Sequence, residues 1–338
     1  MKELEQKQKA PMVPFVDKEI MELEAKVKEN PSDLNSLNVL LSKYFEKQFE
    51  SESACKAREQ FIIWLIQNHP NFEIPADIVW IQDREAYNQA KNLFLKQVED
   101  HKKNPRILFN AATFLLFDPE IKEKLLREGQ GLEPKNYEWS YELGQLYYNN
   151  MIRDAERSLE DKAKAANMAL QEYERCLGFN IGTDTRLYIL VYAAKSAIEA
   201  ENIEKAQAYA VEIWNKAAIF KDNPSYEFAY HQSSQVLGRV VLRRYRRDDF
   251  AKADYLKTSK EFLINSVKNL SSSNKTDFMP GMALAKELLE IGERDIVINY
   301  LELCANVWKG DDVVKNKIKE WLEAVKNGKI PDFGSYLY

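Results

Sequence analysis

LEPKNYEWSYELGQLYY, residues 132–148, closes one helix and opens another. LEPKN interrupts any helix running into it, because Pro134 has no amide hydrogen and crowds the preceding turn. A helix is then predicted over 135–150. Within it, Leu143-Gly144 is followed by apolar residues three and four positions on, Tyr147 and Tyr148. The pattern recurs in QVLGRVVL, Gln235 to Leu242, around Gly238. LVYAAKSAIEAENIEKAQAYAVEIW repeats it with Ala194 in the small position and Ala206 and Ala210 behind. MALAKELLEIGERDIVINYLELC gives a further copy around Ala285, with Tyr300 and Leu303. Two antiparallel helices approach closely only where one presents Gly or Ala, with large side chains filling the grooves on either side. One such hairpin buries little, whereas a stack of them buries a continuous core.

Helical periods and stop signals extend in both directions. Ile20, Leu23 and Val27 share a face, ENPSD interrupts, and DLNSLNVLLSKYF follows. SACKAREQFIIWLIQNHP brings Ala57, Phe61, Trp64 and Leu65 together and stops at Pro70. Residues 70–84 read as an apolar connection. Further helices are expected at 85–103, 105–117, 119–131, 135–150, 155–178, 184–200, 202–220, 225–247, 249–269, 277–291, 293–308 and 312–327. No segment carries the strict alternation of a strand. The expected fold class is all-α.

Composition agrees. The 338 residues include only 11 Gly and 11 Pro, too few for a β-sandwich of this length. A net charge of −5 argues against a general nucleic-acid binder. Cys55, Cys176 and Cys304 are odd in number and lie in helical apolar patterns, which points to reduced core thiols. The three histidines show no metal-ligand spacing. The amino end, MKELEQKQKAPMVPFVD, has no apolar run, and nothing approaches 18 uninterrupted apolar residues. No membrane span and a cytoplasmic location are expected. The alternative is a periplasmic or envelope protein whose export signal was removed.

The small-residue pattern resembles the tetratricopeptide repeat. LEPKNYEWSYELGQLYY matches it best, with Pro134 ten residues before Gly144 and Tyr147 at the aromatic position. AREQFIIWLIQNHP resembles a second repeat helix with its closing Pro70, and NPRILFNAATFLL is looser. The small positions Ala112, Gly144, Ala194, Gly238 and Ala285 are spaced by 32, 50, 44 and 47 residues. The family's repeat is about 34, so most hairpins here are longer. The resemblance covers roughly 30–305 and implies an irregular, tetratricopeptide-like, right-handed α-solenoid of antiparallel hairpins. A HEAT-like solenoid is the structural alternative. The carboxyl end, through IPDFGSYLY, resembles a group of bacterial tetratricopeptide-like proteins, which bears on fold and not on function. The expected organisation is a polar lead at 1–16, a solenoid over 17–328 divisible at 131/132, and a capping tail at 329–338.

The resemblance also points to binding residues. The position after the small residue faces the concave groove in that family, which here picks out Gln145, Lys195, Arg239 and Lys286. Tyr141 and Gln235 lie one turn earlier. Such a row would take an acidic peptide through charge-assisted hydrogen bonds. The family's carboxylate sites also use asparagines, for which Asn110 and Asn149 are the candidates.

The remaining motifs read as structural. In VLGRVVLRRYRRDDFAKA, residues 236–253, five arginines fall in nine residues before two aspartates. Basic last turns and acidic first turns suit helix dipoles, so the run reads mainly as a helix–turn–helix junction. The DFG at 332–334 lacks every other kinase element and reads as packing. His231 reads as a satisfied structural histidine. Trp139, Tyr141, Tyr147 and Tyr148 read mostly as knobs between helices. No nucleophile–base pair or phosphate-cradling glycine loop is visible, and no cofactor is implied. The expected function is a non-catalytic scaffold binding a protein or peptide. The alternative is a helical enzyme or small-ligand-binding protein with a pocket between hairpins.

Overall fold

The computed structural model describes residues 16–30, 32–72, 81, 83–149, 157–217, 224–247, 251–268, 270, 278–308 and 312–337. Most of the expected polar lead, and most of the apolar connection after Pro70, lie outside them. The described residues are all-α, with fifteen helices and no strand. The chain divides into two compact units, one ending at Pro134 and one starting at Lys135.

The first unit holds α1 (Lys18–Glu29), α2 (Leu34–Lys47), α3 (Glu52–Asn68), α4 (Arg84–Asp100), α5 (Pro105–Phe114) and α6 (Pro119–Leu132). Most begin on a side-chain cap, which satisfies amides that have no partner within the helix. Asp17 accepts from the Glu19 and Ile20 amides, Ser51 from Ala54, and Asp83 from Ala86. Asn104 accepts from Arg106 and Ile107, with Pro105 in the first turn, where its missing amide hydrogen costs nothing. Each helix packs on its neighbour in sequence. Val27, Leu37, Leu40, Ile62, Leu65 and Leu126 are fully buried.

The second unit holds α7 (Tyr137–Tyr147), α8 (Leu159–Leu177), α9 (Thr183–Glu199), α10 (Ile203–Ala217), α11 (Pro224–Arg247), α12 (Lys252–Lys268), α13 (Ala283–Glu290), α14 (Arg294–Val307) and α15 (Asp312–Lys326). From α7 to α12 each helix packs on the next. Contacts also skip one element, since α9 meets α11, α11 meets α13, and α12 meets α14. Glu174 on α8 accepts from Tyr209 Oη on α10 at 2.7 Å and pairs with Lys205 at 2.6 Å.

Both glycines of the Leu-Gly pairs sit at close approaches. A Cβ built on Gly144 would lie 2.6 Å from Cε1 of Tyr173 on α8. One on Gly238 would lie 3.3 Å from Phe262 Cβ and closer still to a Leu284 methyl. The Leu284 methyl can turn aside, but the flat Tyr173 ring, fully buried, has no room to do so. Overpacking costs about 1–3 kcal/mol, against a helix-propensity gain of up to about 1 kcal/mol. Gly144→Ala is therefore expected to lower the unfolding free energy by about 1–2 kcal/mol in urea. A variant as stable as the parent would contradict the close approach.

Several expected helix limits move by three or four residues, and one by six. The helix predicted from 277 starts at Ala283, because the backbone ahead of it is used elsewhere. Gly281 N–H donates to His231 Nε2 at 2.9 Å, and Met282 N–H to the Tyr336 carbonyl at 2.8 Å. In the tail, Phe333 is buried edge-on to Trp321 at 5.3 Å, Tyr336 meets that ring at 4.8 Å, and Trp321 Nε1 donates to the Asp332 carbonyl. All three cysteines are free thiols.

Candidate functional site

In the second unit, three helices carry aromatic and polar residues at matched spacing. Tyr141, Gln145 and Tyr148 lie on α7 and its end, Tyr188, Tyr192 and Lys195 on α9, and Phe228, His231 and Gln235 on α11. Steps of three, four and seven place each set on one helix face. The rings form a continuous tract. Tyr148 meets Tyr192 edge-on at 5.2 Å, Tyr192 meets Tyr188 at 5.1 Å, and Tyr188 meets Phe228 at 5.6 Å. Phe228 then meets Phe278 at 5.6 Å, and Phe278 meets Trp308 at 5.6 Å. Tyr188 is 42% exposed, while Tyr141, Gln145, Tyr192, Lys195, Phe228 and Phe278 are half-buried. Tyr148 and Trp308, at its two ends, are buried, so the tract opens to solvent in its middle, around Tyr188.

Tyr173 on α8 lies beneath this face. Its ring covers Gly144 and stacks on Tyr192 at 5.8 Å. Burial, and then the neighbouring tyrosines, push its hydroxyl well above the usual phenol range, so it is neutral and a donor. Among the described residues that hydroxyl has no hydrogen-bond partner, and neither has the Gln145 Nε2 amide. The Gln145 oxygen accepts from Asn149 Nδ2 at 2.8 Å. Burial and then Tyr188 likewise raise the Tyr141 hydroxyl. The Lys195 ammonium lies 5.4 Å from the Tyr148 ring centre and 5.8 Å from that of Tyr192, within cation–π range.

The expected row of groove residues divides. Tyr141, Gln145 and Lys195 come together at the accessible tyrosine face. Gln235 does not, being 4% exposed, with Nε2 donating to Ser266 Oγ at 3.1 Å and Tyr300 Oη at 3.2 Å. Arg239 is 8% exposed and is no free cation. Its Nε donates to Glu287 at 2.8 Å and its NH1 to Glu199 at 2.7 Å. Lys286 pairs with Glu290 one turn along α13. Asn110 is also committed to the fold, donating to the Pro70 carbonyl at 2.8 Å and to that of Phe72.

The whole arginine run follows Arg239. Arg243 bonds Glu287 and, at 2.9 Å, Glu201, while Arg246 and Arg247 lie 3.9 and 3.5 Å from Glu287 and Glu201. Arg244 donates to Gln207. The run does close a helix, since α11 ends at Arg247 with a basic last turn, but it does more than that. The run clamps α11 to carboxylates on α9, on the link to α10, and on α13. Desolvation opposes the charged forms, but the facing opposite charges outweigh it, raising Arg239 and Arg243 and lowering Glu287.

His231 is satisfied, as expected. It is fully buried, Nε2 accepts from Gly281 N–H, and Nδ1 lies 3.0 Å from the Ser266 carbonyl. An accepting Nε2 places the proton on Nδ1. Burial first, then Lys195, lower its pKa to about 4 against the Ser266 hydrogen bond.

Sequence reading missed Tyr173, Tyr188 and Tyr192. The available signal was Tyr188, Tyr192 and Lys195 at i, i+4 and i+7, matching Tyr141, Gln145 and Tyr148. Among the described residues, no group of three or more His, Cys, Asp or Glu has metal-binding geometry, and no helix is long and apolar enough to cross a membrane. No family model matches the chain, and neither a curated protein nor a solved structure matches it.

Proposed function

We propose that this chain is a non-catalytic scaffold that binds a segment of a partner protein along the tyrosine face of its second unit. In this reading, successive helices form antiparallel hairpins stacked as an irregular, right-handed, tetratricopeptide-like solenoid. The α9–α11–α13 contacts support one row of helices, and the Glu174 link from α8 to α10 supports a second. The observation that carries the function is the aromatic tract that runs from buried Tyr148 through half-buried Tyr192 and exposed Tyr188 to half-buried Phe228, bordered by Lys195 and the buried, unpartnered Gln145 amide. Tyrosine supplies large contact area at low conformational cost and is enriched among residues that dominate interface energy. The face has donors and a cation, which favours a partner with carbonyl or carboxylate acceptors. A cytoplasmic location belongs to the same proposal.

Selection of random twelve-residue peptides on the intact protein tests it. Tyr188→Ala with Gln145→Leu is the variant, checked by circular dichroism. Selected peptides are expected to bind it at least about tenfold more weakly, the equivalent of about 1.4 kcal/mol. Equal affinity would remove the tyrosine face from the function.

A further inference from the structure

The first unit contains a cleft of about 420 Å³ beside α4 and the start of α6, within the size range of small-molecule sites. Ile81, Tyr87 and Phe117 form its apolar wall, and Arg84, Asn88, Lys91 and Asp118 supply its polar groups. The wall is firmly backed. Tyr87 stacks on Phe114 at 5.1 Å and meets Phe117 edge-on at 5.2 Å. Phe117 is nevertheless 63% exposed, a large ring left open at the cleft.

The polar groups fall into a closed set and an open one. Asp118 accepts from Tyr87 Oη at 2.7 Å and pairs with Lys91. It sits at the N-cap of α6 but makes no cap hydrogen bond with its side chain. Its charge and that of Lys91 therefore cancel within the cleft. Arg84 and Asn88 lie one turn apart on α4, both exposed, and neither has a hydrogen-bond or ion-pair partner among the described residues. The lining charges are Arg84, Lys91 and Asp118, which leaves one net positive charge, on Arg84. A guanidinium beside a carboxamide offers forked donors to one carboxylate, while the aromatic wall accommodates a flat apolar body.

We propose that this cleft binds a small amphipathic monocarboxylate, its apolar body against Ile81, Tyr87 and Phe117 and its carboxylate on Arg84 and Asn88. A dianion would meet only one uncompensated cation, and a cationic ligand would face Arg84. The site stands independently of the tyrosine face, which belongs to the other unit.

Isothermal titration of the full chain with three probes tests this: 3-phenylpropionate, its neutral amide, and propionate. The acid is expected to bind at least about tenfold more tightly than either of the others, as a charge-assisted fork and a buried ring each require. Arg84→Gln should reduce the acid to the level of the amide without changing the melting temperature, since Arg84 has no partner to lose. Phe117→Ala should weaken acid and amide by the same factor. Failure of the acid to bind at millimolar concentration, equal affinity for acid and amide, or an Arg84→Gln variant that binds like the parent would each overturn the proposal.

Discussion

Arg239→Met is expected to lower the stability of the protein by about 3–5 kcal/mol, the range for removing one partner from a buried ion pair. The side chain is 8% exposed and shared between Glu199 and Glu287. Methionine fills much of the same volume, so the loss reports charge more than packing. Glu199 then keeps a carboxylate in a half-closed site, and Glu287 retains only its bonds to Arg243 and the distant Arg246. Arg239→Met/Glu199→Gln is expected to recover part of the loss, because it removes the carboxylate stranded at Glu199 as well. Urea unfolding of the two single variants and the double variant measures this coupling. Additive single effects would mean that the network contributes nothing as a unit. The pH dependence has a definite sign. The Glu287 pKa is lowered in the folded protein, so its contribution is complete above the ordinary value near 4.5 and is lost as pH falls below it. The gap between parent and Arg239→Met should therefore narrow in acid.

His231 sets the second large effect, at higher pH. Its pKa is lowered from 6.5 to about 4, because burial excludes the imidazolium and Nε2 is occupied by the Gly281 amide. A histidine held neutral contributes stability that is complete above pH 6.5 and is lost as pH falls toward 4. That difference corresponds to about 3 kcal/mol between pH 7 and pH 4. His231→Phe should be less stable than the parent at pH 7, since the Ser266 carbonyl and the Gly281 amide lose their partner. It should also lose less stability on acidification, so the two unfolding curves converge near pH 4. A constant offset between parent and variant from pH 7 to pH 4 would show that His231 does not titrate with unfolding.

The aromatic and charged partnerships explain what a reading of the chain recovers. Helix limits were legible because their causes are local. Asn104-Pro105 starts α5 through a side chain two residues from the amide it caps, and residues around Pro134 separate α6 from α7. Gly144 and Gly238 were legible as close approaches, because only a missing Cβ lets a ring or a neighbouring helix come so near. The site was legible in part. Tyr141, Gln145 and Lys195 were found, but the rings that make them a surface lie on other helices.

The order of apolar and small residues along this chain determined its all-α class and placed most helix limits to within a few residues, because capping, propensity and close packing act over a few residues. Tertiary structure alone decided what each charge faces. Arg239 and Lys195 follow equivalent small residues and look alike in sequence. Arg239 meets carboxylates 40 and 48 residues away and is closed off, whereas Lys195 meets two tyrosine rings at a half-open face. The late start of α13 has the same origin, since Gly281 and Met282 give their amides to residues about 50 positions away in the chain. Contacts at that separation carry no local signature, and they separate a binding surface from a structural clamp.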